Sequence, residues 1–103
     1  MDRIEKLKEF LVASPADSFV QHALALEYIK VGNDVEAGKL FESLLTRDEN
    51  YVGSYYHFAK LLERNNEKAE AIKWYEKGML KAKEYGDQHA YNELRSAYEE
   101  LIF

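Results

Sequence analysis

A ten-residue pattern occurs twice in this chain, in residues 32–41 and again in residues 66–75. Each copy has a turn-forming residue, then a small residue and, four positions later, an aromatic residue. Corresponding positions are 34 residues apart: Gly32 and Asn66, Ala37 and Ala71, Phe41 and Tyr75. Residues i and i+4 share one face of a helix, and a period of 34 is typical of helix–turn–helix repeats. The pattern therefore predicts repeated helical hairpins in which a small residue makes a close contact beside a bulky one.

The composition favours an all-α fold in a single domain. The 103 residues include only one Pro and five Gly, and 47% of them are hydrophobic, which is enough apolar mass for a core. Glu, Lys, Leu and Ala are abundant, and all four are strong helix formers. A chain of this length and composition predicts one helical domain.

The charge balance is acidic. The net charge is −5, from 14 basic and 19 acidic side chains. Binding to a phosphate backbone requires a basic face, whereas here Lys and Arg alternate with Glu, as in residues 67–70 and 73–77. This alternation is typical of solvated helix faces. We therefore expect no nucleic-acid partner.

The sequence lacks several features that would indicate a particular cellular compartment or type of site. Without cysteine there are no disulfides, thiolate metal sites or cysteine nucleophiles. Residues 1–8 are charged and do not resemble a signal peptide, and no apolar run reaches the length of a membrane span. The sequence predicts a cytoplasmic protein without a membrane partner.

Apolar periodicity and capping residues predict six helices. The predicted ranges are about 2–13, 15–31, 35–46, 49–64, 67–85 and 88–102. In the first helix, Ile4, Leu7 and Leu11 form one stripe, which Phe10 widens. The predicted N-caps are Ser14, Asp34, Asp48 and Asp87. Gly32 and Gly86 are expected to end the helices before them.

These residues resemble the tetratricopeptide repeat family. The resemblance rests on Leu24, Ala25, Tyr28, Gly32, Ala37 and Phe41 in a first repeat, and on Tyr55, Phe58, Ala59, Ala71, Tyr75 and Gly78 in a second. Gln21 replaces the leading aromatic of the first repeat. The resemblance implies an antiparallel stack of helical hairpins over residues 1–103. It divides the chain into an N-terminal half-repeat (1–16), repeats at 18–51 and 52–85, and a C-terminal capping helix (87–103).

No catalytic constellation is recognisable in the sequence. The five Gly are scattered and form no phosphate-binding loop, and there is no zinc helix motif or nucleophile elbow. We therefore expect no enzyme and no cofactor.

The resemblance implies that the first helix of each pair lines a concave groove that binds a protein or peptide segment. By phase, the candidate contact residues are Phe19, His22, Leu26, Tyr56, His57, Lys60, Arg64, His89 and Asn92. The alternative for Phe19, Leu26 and Ile29 is that they complete the core.

Some family members hold a C-terminal carboxylate in a clamp of Lys, Asn and Arg. At the matching positions this chain has His22, Leu26, His57, His89 and Glu93, so that clamp chemistry is missing. The three histidines suggest a weaker hypothesis, in which His22, His57 and His89 line one pocket that gains charge below about pH 6.5 or binds a metal with Glu93. The alternative is three independent surface histidines.

The sequence finishes with three apolar residues, Leu101, Ile102 and Phe103. They either fold back over the core or form a self-association surface between two copies of the chain. The second possibility makes a homodimeric structural module the alternative to a peptide-binding adaptor.

Overall fold

The structure is a computed structural model and describes residues 2–103. Six α-helices follow one another: α1 Arg3–Ala13, α2 Ser18–Lys30, α3 Asp34–Arg47, α4 Gly53–Arg64, α5 Lys68–Tyr85 and α6 Gln88–Ile102. Residues 2–103 contain no β-strand. The prediction of an all-α fold with six helices is confirmed.

The helices group into two compact units, Met1–Asp48 and Glu49–Phe103. In the first unit α1 packs on α2, and α2 packs on α3. In the second unit α4 packs on α5, α5 packs on α6, and α4 also touches α6. Each predicted hairpin, α2–α3 and α4–α5, is therefore present.

The core of the first unit forms where α1 and α3 meet α2. Leu7, Ala23 and Leu24 are buried there, and Ile4 and Leu11 pack against them. The predicted stripe of α1 is confirmed for Ile4, Leu7 and Leu11. Phe10, which we expected to widen it, is 59% exposed.

The predicted small and aromatic positions of both repeats lie in the core. Ala37, Phe41, Ala71 and Tyr75 are fully buried. A buried Ala leaves room for a neighbouring helix to approach, and the aromatic residue one turn later fills the space beside it on the same face. The repeated pattern thus describes the contact within each hairpin.

Two of the predicted helix ends are confirmed by backbone geometry. Gly32 and Gly86 have φ values of +80° and +75°, in the left-handed region that favours glycine. Asn66 has φ +62°, so it replaces glycine at the equivalent turn of the second hairpin. Asp87 caps α6, since its carboxylate accepts a hydrogen bond from the Ala90 amide at 3.0 Å.

Three predicted N-caps are wrong. Ser14 ends α1, because its amide donates to the Phe10 carbonyl, and Asp17 caps α2 by accepting from the Val20 amide. Asn33 rather than Asp34 caps α3.

Asp48 ends α3 instead of starting α4, and its carboxylate accepts a hydrogen bond from the Ser18 hydroxyl at 2.6 Å. That partner lies 30 residues away, so local capping rules could not predict it. Accordingly α4 begins at Gly53, four residues later than expected.

Among residues 2–103, no helix is both long enough and apolar enough to span a membrane.

Candidate functional site

A surface pocket of about 210 Å³ lies between α4 and α6 of the second unit. Its lining residues are Tyr56, Lys60, Glu93, Ser96, Ala97 and Glu100. Tyr56 and Lys60 are predicted groove contacts, and Glu93 occupies a position that matches the carboxylate clamp of some family members. The structure brings these three side chains to one pocket.

Burial on the opposite faces of α4 and α6 explains this placement. On α4, Tyr55, Phe58 and Ala59 are buried, which turns Tyr56 and Lys60 to the accessible side. On α6, Leu94 is buried in the core, and the buried Ala97 is part of the pocket lining. Residues three and seven positions after Glu93 continue its face of the helix, so one edge of α6 carries Ser96 and Glu100 together with Glu93.

Lys60 is held at the rim of the pocket by a neighbour on its own helix. Its Nζ lies 3.7 Å from Oε2 of Glu63, and the same oxygen accepts a hydrogen bond from the Tyr75 hydroxyl at 2.8 Å. Glu63 therefore joins a surface lysine to a fully buried tyrosine. Burial of the phenol, followed by its hydrogen bond to Glu63, raises the pKa of Tyr75 above its ordinary value.

His57 stands beside this pocket and is half-buried. Its ring centroid lies 5.6 Å from that of Tyr56, in an edge-to-face arrangement. Burial lowers the pKa of His57, and the nearby Glu93 carboxylate partly opposes that shift. The shift favours the neutral form of the imidazole.

A second, open pocket of about 310 Å³ is lined by Lys60, Glu63 and Arg64. Arg64 is exposed at the end of α4. Tyr56, Lys60 and Arg64 are spaced by four residues, so they follow one face of the helix. Lys60 contributes to both pockets.

The other two α6 candidates, His89 and Asn92, are exposed. The Asn92 side-chain oxygen accepts a hydrogen bond from the Gln88 amide group at 2.9 Å. Among residues 2–103, neither candidate belongs to the lining of the pocket between α4 and α6. They remain predicted contacts on the first two turns of α6.

In the first unit, α2 carries Phe19, His22 and Leu26. Phe19 is 67% exposed, so the alternative in which it completes the core is wrong. Leu26 and Ile29 are half-buried. His22 is also half-buried, and its ring lies 6.1 Å from that of the buried Phe41.

The metal hypothesis for His22, His57, His89 and Glu93 is not supported. Over the part of the chain that the structure describes, no three or more His, Asp or Glu side chains are grouped so that they could hold a metal ion. His57 and Glu93 interact, but a single histidine and a single carboxylate make an incomplete ligand set.

The three apolar C-terminal residues differ in their exposure. Phe103 is 95% exposed and Ile102 is 37% exposed, whereas Leu101 is half-buried. The first of the two sequence-based alternatives is therefore wrong for Phe103.

The sequence analysis missed Glu63 and Glu100. Glu100 belongs to no recognisable sequence motif, although its spacing of seven from Glu93 indicates the same helix face. No sequence pattern indicates that Glu63 has a role at the site, because that role depends on the hydroxyl of Tyr75, twelve residues further along the chain.

Solved structures provide the comparison with known proteins. A tetratricopeptide repeat domain protein from Salinibacter ruber is 41% identical; the match covers 84% of this chain and 96% of that protein, with a TM-score of 0.81. No protein-family model and no curated protein gives a significant match.

Two more distant structures share the fold. A protein from Bordetella parapertussis is 22% identical over 99% of this chain and 89% of its own, with a TM-score of 0.84. The type III secretion translocator chaperone SycD of Yersinia enterocolitica is 16% identical over 96% of this chain and 69% of its own, with a TM-score of 0.88.

Proposed function

The chain belongs to the tetratricopeptide repeat family, and from this premise we propose that it is a non-catalytic adaptor that binds a peptide or protein segment. The observation that carries the proposal is the pocket between α4 and α6, which places Tyr56, Lys60 and Glu93 around one opening. Helical repeats of this kind use such surfaces for binding.

The side chains of this pocket suit a peptide. Tyr56 supplies a half-buried aromatic ring that can pack against an apolar side chain. Ser96 supplies a hydroxyl, and the charged groups of Lys60 and Glu93 can pair with polar groups of a partner. Arg64 extends this contact surface along α4.

Exposed Phe19, with His22 and Leu26, forms a second predicted contact area on α2. An aromatic side chain that is 67% exposed loses apolar surface to a partner at little cost in conformational entropy. We propose that the partner also contacts this face.

Affinity capture from a lysate of the source organism tests the proposal. The bait is the wild type beside a Tyr56→Ala/Lys60→Ala variant, and a Tyr85→Ala/Lys83→Ala variant is the matched control, because both of its residues are exposed on α5. Circular dichroism melting confirms that all three baits are folded. We expect a protein that is retained by the wild type and the control but lost by the Tyr56→Ala/Lys60→Ala variant, called the groove variant below.

Equal retention by all three baits would contradict a binding role for this pocket. The captured protein is then purified, and its dissociation constant is measured against each bait. We expect at least a tenfold weakening for the groove variant, since truncating a buried aromatic contact and a lysine typically costs more than about 1.4 kcal/mol.

A self-associating structural module is the second candidate. It is favoured by the exposure of Phe103, an apolar side chain beside Ile102 at the end of α6. Sedimentation of the wild type and of Phe103→Ser over a hundredfold concentration range tests it. A mass that rises with concentration only in the wild type favours the second candidate; a constant monomer mass removes it.

A further inference from the structure

The charges around the pocket between α4 and α6 are not balanced within the protein. Lys60 is the basic residue of its lining, and Glu63 already pairs with it. Glu93 and Glu100 are both exposed, and within residues 2–103 no ion pair links either of them to a lysine or arginine. The pocket therefore presents two carboxylates whose charges remain available to a ligand.

His57, the histidine that interacts with Glu93, contributes little positive charge to offset that carboxylate. His57 lies within electrostatic reach of Glu93, but burial lowers the pKa of His57, which favours the neutral imidazole. The Glu100 charge acts at the other end of the pocket, where with Glu63 and Tyr56 it contributes to the raised pKa of Tyr75. Both ends of the opening are thus negative.

The two carboxylates are separated by two helical turns. Seven residues of α-helix rise about 10 Å, so one ligand side chain cannot reach both carboxylates closely, whereas two side chains of one segment can. Tyr56 lies on the opposite wall and offers an aromatic face, against which an apolar side chain of the same segment can pack.

We infer that this pocket selects a peptide segment that carries two basic side chains, one for Glu93 and one for Glu100, with an apolar residue against Tyr56. The inference rests on the proposed function, because it names the chemistry of the partner for the same surface. The net charge of −5 acts in the same direction, since it attracts a basic segment and repels an acidic one before contact.

The test uses three pools of N-acetylated, C-amidated dodecapeptides on immobilised wild-type protein. The pools have the same random Leu, Phe, Ala and Ser positions and differ only at two fixed positions, which hold Lys, Glu or Gln. At about 4 Å, one exposed charge pair in water changes a dissociation constant about fivefold. We expect the Lys pool to be retained five- to tenfold better than the Gln pool, and the Glu pool to be retained least.

Two protein variants assign this preference to the pocket. Glu93→Gln/Glu100→Gln should reduce the preference for the Lys pool to within about twofold of the Gln pool. Glu9→Gln/Glu42→Gln has the same change in net charge at exposed positions of the first unit, and it should keep at least half of the preference.

The outcomes separate the two proposals. Retention of all three pools to the same extent, or a preference for the Glu pool, overturns the inference about charge and leaves peptide binding intact. An equal loss of preference in both variants also overturns it, because only net charge would then matter. If the wild type retains none of the pools, peptide binding by this surface fails together with the inference.

Discussion

A Cβ atom placed on Gly78 would lie 2.6 Å from the Cβ and 2.9 Å from the Cγ of Tyr55. Both of these tyrosine atoms are close to the backbone, so they cannot move away without shifting α4. Gly78 is therefore a point at which the backbone of α5 lies directly against a side chain of α4. The absence of a side chain here permits the packing of the second hairpin.

Replacing Gly78 with Ala should destabilise the protein. Alanine ordinarily stabilises a helix by about 0.5–1 kcal/mol relative to glycine, but the clash with Tyr55 adds an overpacking cost of about 1–3 kcal/mol. We expect a lower urea midpoint. Gly53→Ala is the control, since a Cβ at Gly53 has no neighbouring atom within 4 Å; equal midpoints for both variants and the wild type would show that the close approach is wrong.

Removal of the Tyr75 hydroxyl should also weaken the fold. Tyr75 is fully buried and donates to Glu63 at 2.8 Å, and a hydrogen bond to a charged acceptor contributes about 1.5–3 kcal/mol. Tyr75→Phe should lose a stability of this size in chemical denaturation. Tyr98→Phe breaks a similar bond to Glu76 at an exposed position and should lose clearly less; the reverse order would contradict the buried placement of the Tyr75 hydroxyl.

The same tyrosine predicts a change of stability with pH. The pKa of Tyr75 is raised in the folded state above the unfolded value of about 10. Its protonated form is thus favoured by folding, so the contribution is fully present below about pH 10 and is lost as the pH rises further. Above pH 10 the stability difference between the wild type and Tyr75→Phe should shrink, by up to about 1.4 kcal/mol per pH unit. A difference that is constant from pH 8 to 11 would contradict the raised pKa.

His57 and Glu93 form a pair that can be tested by titration. Burial lowers the pKa of His57, so its contribution to stability is present above the unfolded value of about 6.5 and is lost as the pH falls below it. Because Glu93 opposes this shift, Glu93→Gln should lower the pKa of His57 further. NMR titration of the imidazole measures this change. Glu99→Gln, which removes the partner of Arg95, should leave the pKa of His57 unchanged. An equally unchanged pKa of His57 in Glu93→Gln would mean that Glu93 and His57 do not interact.

The helices and their contacts could be predicted from the sequence because they depend on local periodicity. Ala37, Phe41, Ala71 and Tyr75 repeat at 34 residues, and the same positions are buried in the structure. Close helix packing requires a small residue beside an aromatic one. Because each hairpin has the same requirement, these residue types recur at a fixed spacing in the sequence. The left-handed turn at Gly32 could be predicted as well, because it depends on the type of a single residue.

The polar contacts between helices could not be predicted in this way. Gln21 occupies the position of an aromatic residue and is only 6% exposed; its side-chain oxygen accepts a hydrogen bond from Arg47 at 2.5 Å. Arg47 also donates to the Ser18 hydroxyl, which in turn donates to Asp48. This network joins the start of α2 to the end of α3, and each member read alone is an ordinary polar residue.

Only part of the candidate site could be predicted, because helical phase is visible in the sequence and contacts between helices are not. Helical phase placed Tyr56 and Lys60 on the accessible side of α4, and Glu93 on that of α6. The pairing of Lys60 with Glu63, however, depends on the buried hydroxyl that also holds Glu63. The charge that remains in the pocket follows from such tertiary contacts, so it could be assessed only in the folded structure.

Site-specific photo-crosslinking tests most directly whether the pocket between α4 and α6 is the partner-binding surface. A benzophenone amino acid replaces Tyr56 in one variant and Tyr85, which is 62% exposed on α5, in the other. Both folded variants are irradiated in a lysate of the source organism. The account predicts a protein adduct at position 56 that is absent at position 85. The same adducts at both positions, or an adduct at position 56 only with a second copy of the chain, would contradict it.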